Sequence, residues 1–155
     1  LIIFMVFSKL VFGLWTPMVA VESGSMEPHM QVGDIIFIKS ADRVDIITNE
    51  EGKNIGYKSF EDYGDVILYR PYGEEGVTPI IHRAMYRVDA GEPMWENGPI
   101  APYSGYITKG DNVITNSHFD QEGQISYETP VKDEWIIGVA KYRIPYAGYV
   151  RLLFS

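Results

Sequence analysis

The chain opens on an almost unbroken apolar run, residues 1–21 (LIIFMVFSKLVFGLWTPMVAV), in which Lys9 is the one charge. Pro17 closes any helix begun upstream and leaves 16 residues that can be helical, slightly short of the about 20 that a bilayer span takes. Lys9 and Trp15 sit where a snorkelling amine and a headgroup-level indole would anchor such a segment. The sequence starts at Leu1 and not at methionine, so 1–17 reads as the end of a truncated membrane anchor. A buried helix of a soluble domain is the alternative. No small-residue cleavage pattern follows the run, which argues against a cleaved leader.

After Pro17 the period changes to alternation. Runs at 18–21 (MVAV), 34–39 (DIIFIK), 65–70 (DVILYR), 80–88 (IIHRAMYRV), 106–109 (YITK) and 135–142 (WIIGVAKY) are rich in β-branched and aromatic residues and bounded by Gly, Pro, Asp and Asn. They predict a mainly β fold, an antiparallel barrel or sandwich over 18–149. Two polar stretches interrupt it: a mixed-charge surface excursion near 41–63, and a long loop near 91–105 that carries Pro93, Pro99 and Pro102. The carboxyl end (KYRIPYAGYVRLLFS) turns apolar again, and 150–155 is a candidate start of a second membrane segment, with a terminal strand and helix of the domain as the alternative.

Composition narrows the classes. A chain of 155 residues with 46% hydrophobic content can bury the core of one domain. A formal net charge of -8 disfavours nucleic acid as a partner. With no cysteine and no HExxH-type spacing, neither a metal site nor a cofactor is expected.

The candidate chemistry starts at Ser23-Gly24-Ser25-Met26-Glu27-Pro28, where the apolar run stops. Gly24 lets backbone and substrate approach, Pro28 pre-sets a turn, and Ser25 stands between them as a candidate nucleophile. A serine needs a base. His82 lies in a strand-like run that would fix its direction, His29 in a turn that would fix it poorly, and His118 in the polar loop 112–120. Lys39 is a weak alternative; Arg83 stays protonated and cannot serve. A carboxylate would orient the histidine, and Asp111 (in Lys109-Gly110-Asp111-Asn112) and Asp120 (in Ser117-His118-Phe119-Asp120-Gln121) are both placed to do so. Spacing does not choose between them, and Gly110-Asp111-Asn112 also reads as an ordinary turn.

In order, SGSMEP, Gly33-Asp34 before an apolar strand, Gly64-Asp65-Val66-Ile67, Ile81-His82-Arg83 and Lys109-Gly110-Asp111-Asn112 resemble the type I signal peptidases. A histidine where the bacterial enzymes carry lysine is similar to their archaeal and endoplasmic-reticulum branch. The likeness runs from about Pro17 to Tyr149 and includes Ile144-Pro145-Tyr146-Ala147-Gly148. It implies a membrane-anchored serine endopeptidase that removes signal peptides, placed in the plasma membrane of an archaeon or in the endoplasmic reticulum, with its β domain on the non-cytoplasmic side. Carried over to this sequence, Ser25 is the nucleophile and His82 the general base. Asp120 is the His82 partner and Asp111 a supporting carboxylate. The family's spacing would put the second carboxylate at Ser117, so Asp120 assumes a small insertion through residues 114–119. The Ser23 hydroxyl joins the Ser25 N–H in an oxyanion hole, and an extended substrate adds beside Met18, Val19, Ala20, Val21 and Glu22. Signal-peptide-bearing preproteins and membrane lipid are the expected partners, with accessory subunits as further candidates. The competing reading is a non-catalytic, membrane-tethered β binding module.

Overall fold

The computed structural model describes residues 17–145 together with Val6 and Leu10. In chain order it contains β1 (Met18–Ala20), β2 (Ile35–Ser40), α1 (Asn49–Ile55), β3 (Lys58–Ser59), β4 (Asp62–Tyr63), β5 (Val66–Tyr69), β6 (Ile80–Val88), β7 (Gly105–Lys109) and β8 (Ile136–Ile144). Six strands form one antiparallel sheet in the order β1-β2-β8-β5-β6-β7, and β3 and β4 make a separate hairpin. The mainly β expectation therefore holds. No ladder among the described residues joins β1 to β7, so among them the sheet does not close into a barrel. No helix among the described residues is long and apolar enough to cross a membrane. Apart from Val6, Leu10 and Pro17, the expected anchor at 1–17 and the segment at 150–155 lie outside the described residues.

The burial of the central strand explains its sequence. β5 is apolar without alternation because both its faces are covered. Val66 and Leu68 pack with Ile36, Ile38, Ala140, Met26 and Met30, whereas Ile67 and Tyr69 pack with Ala84, Val131 and Val139. Register then distributes the polar residues of β6. Ile67 stands opposite His82, Val66 opposite Arg83, and Ala84 opposite Thr108. Cross-strand partners share a face and successive residues alternate faces. Tyr69, His82 and Thr108, from three neighbouring strands, consequently stand on one side of the sheet, and Arg83 on the other.

Both polar stretches are more ordered than their composition suggests. Within 41–63, Thr48 caps α1 by accepting the Glu51 N–H at 3.2 Å, and Gly56 ends it at φ 76°. The Thr48-x-x-Glu51 spacing is a helix-start signature visible in the sequence. Gly64 lets this unit close onto the sheet: its φ is +85°, and a Cβ there would stand 2.3 Å from the Asn49 nitrogen. Beside it, buried Asp65 accepts the Ile47 N–H at 2.9 Å and the Tyr57 hydroxyl at 2.6 Å. Burial, followed by the Asp65 carboxylate, pushes the Tyr57 phenol up to about 12. The stretch 91–105 extends the β6–β7 hairpin, with cross-chain bonds between Gly91, Glu92 and Ala101 and a fully buried Met94.

Candidate active site

Ser25 is carried on a loop whose base is closed by the Val21 N–H to Asp34 carbonyl bond and the Gly33 N–H to Val21 carbonyl bond, both 2.9 Å. Fully buried Met26 and Met30 pin the loop to the core. The Asp34 carboxylate accepts the Gln31 N–H at 2.7 Å and lies 3.4 Å from Arg143 Nε. The Gly33-Asp34 motif thus builds the loop's exit.

The structure brings Ser25, His82 and Asp120 into one line. His82 Nε2 is 3.0 Å from Ser25 Oγ, and His82 Nδ1 is 2.9 Å and 2.8 Å from the two Asp120 oxygens. Asp120 opens a short 3-10 turn (Asp120–Glu122) that is closed by the Phe119 N–H donating to Glu122 at 2.8 Å. Tyr69 and Thr108 each donate a hydroxyl to Asp120 Oδ2 at 2.7 Å, and Gln121 holds Thr108 through its backbone N–H (3.0 Å) and its hydroxyl (3.2 Å). Burial pushes the Asp120 carboxyl up, but the His82 hydrogen bond and charge, with Thr108 and Tyr69, outweigh it and hold the group below the usual carboxylate range. Burial first, and Asp120 second, push the Tyr69 phenol well up, so it remains a donor. An ionised Asp120 accepts a hydrogen bond from Nδ1–H, which keeps the proton on Nδ1 and leaves the Nε2 lone pair facing Ser25, the arrangement that can accept a hydroxyl proton.

Asp111 does not join this line. It lies across the sheet's other side, where Arg83 donates Nε to Oδ1 at 2.9 Å and a terminal nitrogen to Oδ2 at 2.6 Å. The rest of the buried Arg83 guanidinium is taken by the carbonyls of Ser59 (2.8 Å), Gly64 (2.7 Å) and Phe60 (3.2 Å). His29, expected to be poorly fixed, is held with Nδ1 2.6 Å from Asp111 Oδ2. Of the two close histidine–carboxylate pairs among the described residues, the part-buried His29–Asp111 and the buried His82–Asp120, the second reaches Ser25.

Ser23 donates its hydroxyl to Ser25 Oγ at 3.2 Å, from an exposed position at the cavity wall. The cavity in front of Ser25 measures about 470 Å³ and is lined by Val19, Ala20, Val21, Glu22 and Ser23 on one side and by Ile80, Ile81 and His82 on another. Leu68, Met26 and Ile125 make it mostly apolar, and Asn116 brings one amide. Met18, expected with the substrate strand, does not line it. β1 pairs with β2 alone and is the sheet's edge. Lys39 faces Val139 across the β2–β8 ladder, away from the cavity lining. His118 is largely exposed, 3.8 Å from Glu122. Within the protein, the tight approach to the Ser25 loop is made by Gly110. A Cβ on Gly24 would meet nothing nearer than the flexible Glu27 carboxylate at 3.3 Å, whereas one on Gly110 would stand 2.6 Å from the Ser25 carbonyl oxygen. Sequence reading missed Tyr69 and Thr108, whose part depends on register, and the Arg83–Asp111–His29 cluster, which joins segments far apart in the chain.

No family model matches the chain. Over 140 residues, 90% of its length, it is 31% identical to the signal peptidase complex catalytic subunits of Sclerotinia sclerotiorum, Pyricularia oryzae and Komagataella phaffii. It spans 64% of the length of the first two relatives and 67% of the third.

Proposed function

Since this chain belongs to the family of signal peptidase complex catalytic subunits, we propose that it is a membrane-bound serine endopeptidase that removes signal peptides from secretory preproteins. The observation that carries this reading is the hydrogen-bonded line from Ser25 Oγ through His82 to the buried Asp120 carboxylate. His82 Nε2 takes the Ser25 proton as Oγ attacks the scissile carbonyl. The resulting imidazolium then gives that proton to the leaving amine, and the acyl-enzyme is released by water along the same route in reverse. The Ser25 N–H and the Ser23 hydroxyl stabilise the tetrahedral oxygen. The serine hydroxyl is already beside Oγ and needs only a rotation to turn toward a bound substrate.

Substrate recognition follows from the edge strand. An extended peptide adds beside β1, donating and accepting main-chain bonds, while small side chains enter the apolar cavity. Residues 1–17 act as the anchor that keeps Ser25 near the bilayer surface, where the end of a substrate's apolar segment emerges, so effective concentration replaces tight binding. The catalytic domain lies on the non-cytoplasmic side, and the partners are preproteins, lipid and the other subunits of a signal peptidase complex. Asp111 supports the fold from its pairing with Arg83.

The test is cleavage of a synthetic preprotein, in detergent or lipid, by wild type, Ser25→Ala and His82→Ala, with folding checked for each. Loss in both folded variants is the expected result. Cleavage that survives either one would overturn the reading, and a chain that binds preprotein without cutting it would be the tethered binding module instead.

A further inference from the structure

The turn 110–112 grips the Ser25 loop by its backbone, and Asn112 makes two of the contacts. Its N–H donates to the Ser25 carbonyl at 2.9 Å, and its side-chain Nδ2 donates to the Gly24 carbonyl at 2.8 Å. The amide's orientation follows from its other end: Oδ1 accepts the N–H groups of Ile114 (3.0 Å) and Thr115 (3.3 Å), so Nδ2 is the atom left for Gly24. The Gly24 carbonyl also accepts the Glu27 N–H at 3.1 Å. In a trans peptide the N–H points opposite to the carbonyl of the same unit. Holding the Gly24 carbonyl toward Asn112 therefore aims the Ser25 N–H away from it, and among the described residues that N–H has no acceptor.

We propose that Asn112 is the positioning residue of the oxyanion hole: it fixes the plane of the Gly24–Ser25 peptide so that the Ser25 N–H is aimed before substrate arrives. This rests on the acyl-transfer reading above and adds a residue that touches neither substrate nor the side chains of Ser25, His82 and Asp120. A preorganised donor helps because it need not reorient as negative charge develops. Two peptide planes are held, one on each side of the nucleophile: the Gly24–Ser25 plane by the Asn112 side chain and the next by the Asn112 backbone N–H. Gly110 is small for the same reason, since any Cβ there would push the turn off the Ser25 carbonyl.

The test is Asn112→Ala, which keeps the backbone N–H and removes the side-chain donor. Deleting an oxyanion donor outright costs about a hundred- to a thousandfold in kcat; a donor left in place but free to tilt should cost less, roughly ten- to a hundredfold. KM should hold within about twofold, because ground-state binding is unchanged. Affinity for a substrate-derived peptide aldehyde, whose Ser25 adduct carries the tetrahedral oxygen, should fall in step with kcat, and affinity for an uncleavable peptide should not. The acid limb of the pH profile should stay in place because His82 and Asp120 are untouched. Asn112→Asp, of the same shape but lacking the donor, decides the matter if the alanine variant fails to fold. A folded variant with wild-type kcat, an equal loss for aldehyde and uncleavable peptide, or a displaced acid limb overturns the proposal. Wild-type protein without Ser25-dependent cleavage overturns the acyl-transfer reading, and this inference with it.

Discussion

Replacing each of the two candidate carboxylates by asparagine should give opposite phenotypes. All three neighbours of Asp120 are donors: the Tyr69 and Thr108 hydroxyls and His82 Nδ1. An asparagine there can use its oxygen for the two hydroxyls but must then turn its NH₂ toward Nδ1. The imidazole answers by moving its proton to Nε2, which then donates to Ser25 and cannot accept from it. In serine triads the wrong tautomer lowers turnover by about ten-thousandfold, close to 5.5 kcal/mol on the barrier, and Asp120→Asn is expected to lose activity on that scale while remaining folded. Asp111→Asn acts on stability instead. It takes away the nearer counter-charge of the buried Arg83 guanidinium and leaves only the partly exposed Asp62 carboxylate, 4.0 Å away, and breaking such a pair costs about 3–5 kcal/mol. The asparagine oxygen still accepts one bond, so the lower figure applies, and at roughly 2–4 °C per kcal/mol for a domain of this size Tm should drop by about 6–12 °C. Thermal melts by circular dichroism and kcat/KM on a preprotein peptide, measured well below either Tm, separate the two effects. Asp120→Asn retaining more than about a tenth of wild-type activity, or Asp111→Asn being the less active at equal folding, would refute the tautomer argument.

Two further outcomes follow. Native Asp120 holds its proton less tightly than the unfolded chain does, so its contribution to stability is present above the unfolded carboxylate value of about 3.9 and disappears as pH falls through the lower native value; the Tm gap between wild type and Asp120→Asn should hold down to about pH 5 and shrink as pH falls further, and a constant gap in paired melts would contradict this. Lys39→Met should cleave the preprotein peptide at the wild-type rate, because Lys39 sits on the β2–β8 ladder outside the cavity lining; a large fall in kcat would revive a lysine base.

Much of the fold was legible because β-rich runs bounded by turn residues are a local signal. The run 80–88 became β6 without a shift, and 34–39 and 65–70 match β2 and β5 to within a residue or two. α1 was missed because its polar sequence has no apolar stripe, though its cap and its closing Gly56 were on view. Within the site, Ser25 and His82 could be found from motif and strand context. The roles of Asp111 and Asp120 could not be separated in that way. That choice turns on whether residue 82 or 83 faces a given side of the sheet, and a shift of register by one residue would exchange them.

The register also explains why the two carboxylates cannot trade places. Arg83 is fully buried, and Asp111 supplies its nearer counter-charge through two bonds, the other hydrogen bonds going to neutral carbonyls and the partly exposed Asp62 carboxylate lying 4.0 Å away. If Asp111 turned to serve His82, that charge would keep only the partly exposed Asp62 carboxylate, 4.0 Å away, at a cost of several kcal/mol, so the first carboxylate is committed to the far face. The second must therefore come from further along the chain and cross to the side of Tyr69 and Thr108. The family's spacing would give a step of six residues, to Ser117, whereas the expected and observed partner, Asp120, is nine residues on. Lengthening a flexible connection by that ratio costs only about 0.4 kcal/mol of closure entropy, far less than a mispaired arginine. The extra length bulges outward, with Val113 77% and Ile114 87% exposed, and leaves the ends fixed where they matter, at Asn112 on the Ser25 loop and at Asp120 on His82. An exposed loop of this kind can vary in length without moving either end, so burial against Tyr69 and Thr108 is a better guide to the His82 partner than counting residues from Asp111.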